Sequence, residues 1–461
     1  MRSFLRIVLI LAAFNSYSQY LDWVNTFGKS GDNVISSITS DPQGNLLVAG
    51  CFSGTNVDFN PGISVKILSS AGMRDIFFGK YTKEGELIWV RRIGGALDDG
   101  DMSRQPEINS DKLGNIYVTA TFESPLLDLD AGTGSNNVSI INGSRNLFIV
   151  KYSSSGDFLW GFSLPVEGTE TGKQIAIDNN NDIIIAGRFL GDSIDFDPGP
   201  DAIFLHSGVD EDIYFAKYSS NGNLIWAYDI STAFYGTANS VAVDAQNNIL
   251  LAGYFSGANI DFDPGPATYA MSHTGLYDAF FVKYNPNGHL IWGHHIGHIG
   301  FDINCYSIRT DQNNNVYITG YFQGSIDFDF GPSTAIYNAA GFYDNYLAKY
   351  DANGNFMFAS HSSSVNMEDG MDLYVDVKGN IYLIGLTNSP AVDFDPGPGT
   401  AMVFFPGNNP ASFDFYVAKY NSSGKLMWFS DLEHPLLMWR TVFLQTSKKM
   451  YMWSAVSVQV Q

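Results

Sequence analysis

A short signature, Asp-x-aromatic-x-x-Lys-Tyr (with Asn146 for Asp in one copy), recurs along this chain at a nearly fixed interval. Its lysines are Lys80, Lys151, Lys217, Lys283, Lys349 and Lys419, in steps of 71, 66, 66, 66 and 70 residues. A long fixed period means one supersecondary unit copied many times, each unable to hide its apolar surface without its neighbours. That constraint outranks any local motif.

An aromatic residue follows each Lys-Tyr pair: Trp89, Trp160, Trp226, Trp292, Phe358 and Trp428. Between these marks the text resolves into four strand-like runs per unit, rich in Ile, Val, Tyr, Phe and Trp. In the third unit they are Gln174 to Asp178, Asp182 to Phe189, Asp212 to Tyr218 and Asn223 to Ile230. Gly and Asn interrupt too often for a helical period. The first turn reads Asp41-Pro-Gln-Gly-Asn45, Asp111-Lys-Leu-Gly-Asn115 or Asp376-Val-Lys-Gly-Asn380. Asp opens such a turn by accepting backbone amides, and Gly takes the left-handed position. Hairpins of this kind make neighbouring strands antiparallel. In Leu224-Ile-Trp-Ala227 both alternating sets are apolar, so both faces of the sheet are expected to be buried. Four-stranded sheets stacked radially meet that need, which is a β-propeller.

Six units end at the six aromatics. Tyr20 to Phe27 matches a fourth run, with Trp23 at the aromatic position, and Thr441 to Thr446 with Met450 to Val456 matches the first two runs. The expectation is an all-β, seven-bladed propeller of four-stranded antiparallel blades, closed by N- and C-terminal strands sharing one blade. The blades fall at 34–95, 101–165, 172–231, 238–297, 304–361, 370–430, and 19–28 with 439–461, all in one domain spanning 19–461. The shared blade has only three strands in view, because no Lys-Tyr run follows Val456.

Residues 1–18 read as a secretory signal: Arg2 and Arg6, an apolar run from Ile7 to Phe14, then Ser16 and Ser18 before Gln19. The run is too short to span a membrane. A secreted or outer-surface location is therefore expected. The formal net charge of −22 argues against nucleic acid as a partner, which needs a basic footprint. Cys51 and Cys305 occupy non-equivalent places four units apart and are expected to be free, buried thiols.

The repeats resemble the SBBP-type (seven-bladed β-propeller) repeats of secreted bacterial proteins. The matching text is Asp376 to Leu386, the Asp-Phe-Asp-Pro-Gly-Pro run from Asp195 to Pro200, and Asp212 to Trp226. The resemblance covers Tyr20 to about Val456 and implies fold and export; it implies no general enzymatic activity.

Four groups are candidates for chemistry. The first is the Asp-Phe-Asp loops: Asp195 with Asp197, Asp261 with Asp263, Asp327 with Asp329, and Asp393 with Asp395. Weaker copies are Asp58 with Asn60 and Asp128 with Asp130. Each puts its two polar residues on one side of extended chain and the apolar residue on the other. They are candidate calcium ligands, although calcium takes about six to eight oxygens; the alternative is that they cap turn amides. Each repeated lysine sits among apolar residues and needs a partner, predicting one Lys–carboxylate pair per blade. His289, His294, His295 and His298 are the one His-rich stretch, but positions 294 and 298 on a strand lie about 13 Å apart, too far for one metal. Asp98, Asp99 and Asp101 mark an insertion in the second unit and form a candidate binding loop.

No nucleophile elbow, phosphate loop or His-Glu-x-x-His is present. A non-enzymatic binding or scaffold module for a protein or glycan, acting as a monomer, is expected. The alternative is a hydrolase or lyase with a site at the central channel mouth. Carboxylates or histidines found in only one or two blades and converging at one channel end would favour the enzyme.

Overall fold

The computed structural model describes residues 33–100, 106–140, 145–165, 174–191, 193–208, 210–395, 399–405, 413–432, 441–445 and 450–454, with side chains up to residue 430. It contains six four-stranded antiparallel sheets, each hydrogen-bonded in chain order. They span residues 33–93, 107–164, 174–230, 236–296, 304–361 and 368–432, within a few residues of the repeat boundaries. The third blade runs Gln174–Ile177, Ile183–Phe189, Asp212–Tyr218 and Leu224–Ile230.

Position in the blade decides burial. The first strands of successive blades touch one another and are innermost. In blade three the second and third strands are buried along their whole length. Only these middle strands have sheet or loop cover on both faces, so both their alternating sets are apolar. The fourth strand is outermost and half open: Ile225 is 48% exposed. The expectation of two buried faces therefore fails for that strand.

Between blades the second- and third-strand side chains merge into shared cores. One joins blades one and two through Phe78, Val118 and Tyr152, another joins four and five through Phe281, Ile318 and Tyr350. Each such core removes several large side chains from water at about 1.5–3 kcal/mol apiece. This is the energetic reason that one unit needs the next.

Each blade also carries a small two-stranded arm between its second and third strands, such as Ile194–Asp195 with Phe204–Leu205. Four strands per unit are expected from sequence, and these arms are additional to them. Their strands are only two or three residues long, too short for a period to show.

The seven-bladed expectation is corrected to six. The C-terminal residues form a two-stranded hairpin, Thr441–Gln445 with Met450–Ser454, and not a blade. Among the described residues two strands are all that this stretch supplies, and the strand expected at 19–28 lies outside the described residues, as does the signal segment 1–18. The hairpin lies against the first strand of blade one, Asn33–Ser40, and touches that of blade six, Glu368–Val375. Among the described residues no helix is long and apolar enough to cross a membrane. Both cysteines are buried and neither is in a disulfide.

Candidate functional site

The repeated polar residues act as staples. Asp41 Oδ1 accepts the amides of Gln43 and Asn45, and Lys80 Nζ lies 2.7 Å from Asp41 Oδ2. The equivalent pairs are Lys151–Asp111 at 3.7 Å, Lys217–Asp178 at 2.8 Å, Lys283–Asp244 at 2.9 Å and Lys349–Asp311 at 4.0 Å. Lys419 Nζ stands 4.5 Å from the centre of the Tyr382 ring, and Asp376 favours its charge. In these five pairs the partner is the Asp that opens the blade's own first turn, and Lys217 also lies 3.3 Å from Asp182. Burial pushes the ammonium pKa of Lys151, Lys349 and Lys419 down, while their Asp neighbours hold it up. Four of these lysines also reach the next blade: Lys80 donates to the Ser154 carbonyl, Lys151 to Ser220, Lys283 to Ala352 and Lys349 to Ser422. Trp160 and Trp292 Nε1 donate to the same Ser220 and Ala352 carbonyls.

The Asp-Phe-Asp loops lie in the arms, where their carboxylates cap turn amides. Asp195 Oδ1 accepts the amides of Asp197 and Ile203, and Asp197 Oδ1 accepts that of Gly199. Asp261 Oδ1 accepts the amides of Asp263 and Tyr269, and Asp263 Oδ1 accepts that of Gly265. Asp327 Oδ1 accepts the amides of Asp329 and Ala335, and Asp329 Oδ1 accepts that of Gly331. Asp393 Oδ1 accepts the amides of Asp395 and Ala401. The intervening Phe196 is fully buried, and its carbonyl accepts the Tyr218 hydroxyl at 2.9 Å. Among the described residues no three Asp, Glu, His or Cys side chains are grouped closely enough to hold a metal. The calcium reading of Asp195, Asp197, Asp261, Asp263, Asp327, Asp329, Asp393 and Asp395 therefore finds no ligand cluster there. The physical reason is local: each loop brings only two carboxylates, and its turn amides engage them, whereas calcium needs about six oxygens or more.

The remaining candidates do not converge. Asp98 forms a two-pronged pair with Arg74, while Asp99 is buried and accepts the Gly95, Glu123 and Ser124 amides. Asp101 lies outside the described residues. His294 stacks on Phe330 at 4.5 Å, His295 pairs with Asp278 at 3.1 Å, and His298 packs on Phe301. The amide of His289 closes its turn on Asn285. The four histidines serve separate structural contacts.

A different group does converge, and it lies where the repeats disagree. At the end of the sheets where the inner strands begin, blades four to six gather Tyr254, Tyr277, Tyr306, Tyr321 and Tyr343 around Asp302 and Asp369. Tyr254 and Tyr277 meet at 5.3 Å, Tyr306 and Tyr321 at 5.7 Å, Tyr321 and Tyr343 at 4.6 Å between ring centres. Burial raises the phenol pKa values of Tyr306, Tyr321 and Tyr343, and the charge of Asp369 raises all three further, so the carboxylate lies near all three rings. Asp302 adds to the effect on Tyr321 and Tyr343.

Local backbone places these groups. A β-bulge between Cys305 and Ser307 leaves Tyr306 unpaired and turns it out of the ladder. Gly320 faces that bulge, where an added Cβ would overlap the Asn304 carbonyl, so only glycine permits it. Asp302 forms a parallel bridge with Tyr277, and Asp369 lies directly across from Leu386. Burial pushes the Asp369 carboxyl up to about 6, and it also raises Asp302. Asp302 Oδ1 is buried with no hydrogen-bond partner.

No function-bearing motif announced this cluster. The signal was available in the aligned repeats. The residue before the third-strand Asp or Asn is Arg74, Arg145, Glu211, Tyr277, Tyr343 and Phe413 in blade order. The sixth residue of the second strand is Cys51, Thr121, Arg188, Tyr254, Tyr321 and Leu386. Two columns that vary inside a repeat are where a site belongs.

Comparison with known proteins agrees with the propeller and goes little further. No protein-family model matches the chain, so the likeness to SBBP repeats rests on repeat text alone, and six blades depart from it. The chain is 24% identical over 477 aligned positions to an uncharacterized WD repeat-containing protein, L264, of Acanthamoeba polyphaga mimivirus, an alignment covering 88% of this chain. It spans about a third (34%) of that relative's length. Among solved structures, polysaccharide lyase Uly1 overlaps with a TM-score of 0.41 at 10% identity, over 96% of this chain and 90% of that one. A PL25 ulvan lyase bound to a saccharide overlaps with a TM-score of 0.41 at 13% identity, over 87% and 85%. A protein of unknown function from Bacteroides caccae gives 0.33 at 10% identity, over 83% and 93%. Overlaps this loose carry no argument about activity. What the chain is similar to in sequence is a WD repeat-containing protein.

Proposed function

We propose that this chain is a secreted or cell-surface binding module without enzymatic activity, which holds a protein or glycan on the tyrosine–carboxylate end of blades four to six. The carrying observation is asymmetry: the Lys, Asp and Trp staples recur around the propeller, whereas the tyrosine cluster occupies blades four and five alone and meets Asp369 of blade six. Tyrosines offer large contact area with little side-chain entropy to lose, and a polar tip for hydrogen bonds. Fold alone selects no chemistry, so the reading stands on the site.

A hydrolase or lyase is the second reading, favoured by one observation. Asp369, pushed up to about 6, is in the range of a general acid and lies among phenols that can also carry protons.

One experiment separates them. The full chain and its double variant, Tyr306→Ala with Tyr321→Ala, are screened by calorimetry against peptides and neutral and acidic oligosaccharides, and bound saccharides are checked for cleavage. The expected result is a ligand bound by the parent, lost by the variant and recovered uncleaved. Retained binding in the variant would remove the site, and Asp369-dependent cleavage would convert the module into an enzyme.

A further inference from the structure

We infer that the group received by this cluster is a cationic side chain of a protein partner, an arginine guanidinium above all, taken between Asp302 and Asp369 and stacked on the tyrosine faces. This rests on the reading that the cluster is a ligand site, and it adds the ligand's chemistry.

The argument begins with the chain's own solution in the other half. At the same end of the sheets, blades one to three pair their acids internally. Arg74 holds Asp98 at 2.6 Å, Arg145 holds Glu123 at 2.6 Å and Arg188 holds Glu211 at 2.6 Å. Arg74 and Arg145 occupy the column of Tyr277 and Tyr343, and Arg188 occupies the column of Tyr254 and Tyr321. Blades four and five thus replace the guanidinium by an aromatic ring, while Asp302 between them and Asp369 of blade six keep acid at this end. No described cation forms an ion pair with Asp302 or Asp369, and burial is the sole cause raising Asp369. One oxygen of Asp302 takes the Tyr277 amide and the other, Oδ1, is buried and unmet. A part-buried carboxylate without a cation is costly, and a cation from outside removes that cost.

The rings suit the same ligand. A cation over a tyrosine face is attracted by the ring quadrupole. The fold already uses this contact: Lys151 stands 4.9 Å from the Tyr117 ring centre and Lys349 stands 4.8 Å from that of Tyr317. Guanidinium is favoured over ammonium because its flat fork of donors can grip a carboxylate at two points while its face stacks on a ring. A peptide is favoured over an amino sugar for a geometric reason. Asp369 is the deeper of the two acids, and a charge on a long thin stem reaches it, whereas a sugar ring carries its ammonium without a stem. The formal charge of −22 would also draw a basic partner in.

The test titrates the full chain with acetyl-Gly-Gly-Arg-Gly-Gly-amide, its citrulline and lysine counterparts, and a glucosamine oligomer. Citrulline keeps the shape of arginine and loses the charge. The expected result is arginine binding about tenfold or more tighter than citrulline, weakening with salt, and falling about tenfold in Asp369→Asn and in Asp302→Asn. Circular dichroism establishes that the near-isosteric variants fold. Equal binding of arginine and citrulline peptides would overturn the inference. So would a glucosamine oligomer that outcompetes the peptide and is lost when Tyr306→Ala and Tyr321→Ala are combined, although the site would then survive. If no probe responds to that double variant, the inference and the site fall together.

Discussion

Blades one to three and blades four to six share a backbone and differ in how they treat charge at the end where their inner strands begin. The first half closes its ion pairs on itself: Arg74 with Asp98, Arg145 with Glu123, Arg188 with Glu211. The second half keeps Asp302 and Asp369 among tyrosines with no described ion pair. The lesson is that a repeat separates two jobs by column. Columns that agree, such as the lysine and its turn Asp, build the scaffold. Columns that diverge, such as that of Arg188, Tyr254 and Tyr321, leave surface for something else.

The comparison breaks most forcefully in the first half. Arg188→Met should destabilise the protein by about 3 kcal/mol in chemical denaturation, because Glu211 would stay largely buried without its cation. Removing a charge from the second half should cost far less. A loss under about 1 kcal/mol from Arg188→Met would show that the two halves do not differ in this way.

A pH series sharpens the contrast. Glu368 is fully buried on the first strand of blade six. Burial lifts its carboxyl from 4.5 to about 7, with Asp344 adding to the rise and the hydroxyls of Ser364, Ser389 and Thr387 opposing it. Its folded pKa lies above its unfolded one, so its favourable contribution is complete below about 4.5 and lost as pH climbs through about 7. Asp369 adds a loss of the same sign between 3.8 and about 6. Melting temperature should therefore decline from pH 5 to 8. Glu368→Gln should flatten that decline and gain roughly 2 kcal/mol at pH 8. An unchanged slope in the variant would mean that Glu368 is ionised in the fold.

The smallest effect comes from making the second half imitate the first. Leu386 sits across from Asp369 in the column that holds Arg188 in blade three. Leu386→Arg should place a guanidinium beside Asp369, stabilise the protein by about 0.5–1 kcal/mol and draw the Asp369 pKa down from about 6. Carboxyl NMR titration reads the shift directly, and an Asp369 pKa that stays near 6 would place the two side chains apart.

Much of the scaffold was legible before any coordinates. The Lys-Tyr interval located all six blades, because a period survives substitution at individual positions. The turn Asp of each blade was also legible, since Asp-x-x-Gly-Asn names its own hydrogen bonds. The arms were not, for their two- and three-residue strands have no period to detect. Nor was the seventh blade a sound expectation, as three matching runs of strand text, split between the two termini, do not supply four strands. The site stayed hidden for a further reason. Tyr306, Tyr321 and Tyr343 look like ordinary strand aromatics one by one, and only a bulge, a facing glycine and the neighbouring blades bring them together with Tyr254, Tyr277 and Asp369.

The forward reach of Lys151 and Trp160 to the Ser220 carbonyl has an evolutionary corollary. A unit of this kind carries the hook for its successor and the eye for its predecessor, so units that keep both can follow one another. Unequal recombination that excises one 66-residue step, from Lys217 to Lys283, would rejoin matching hooks and eyes without a seam to repair.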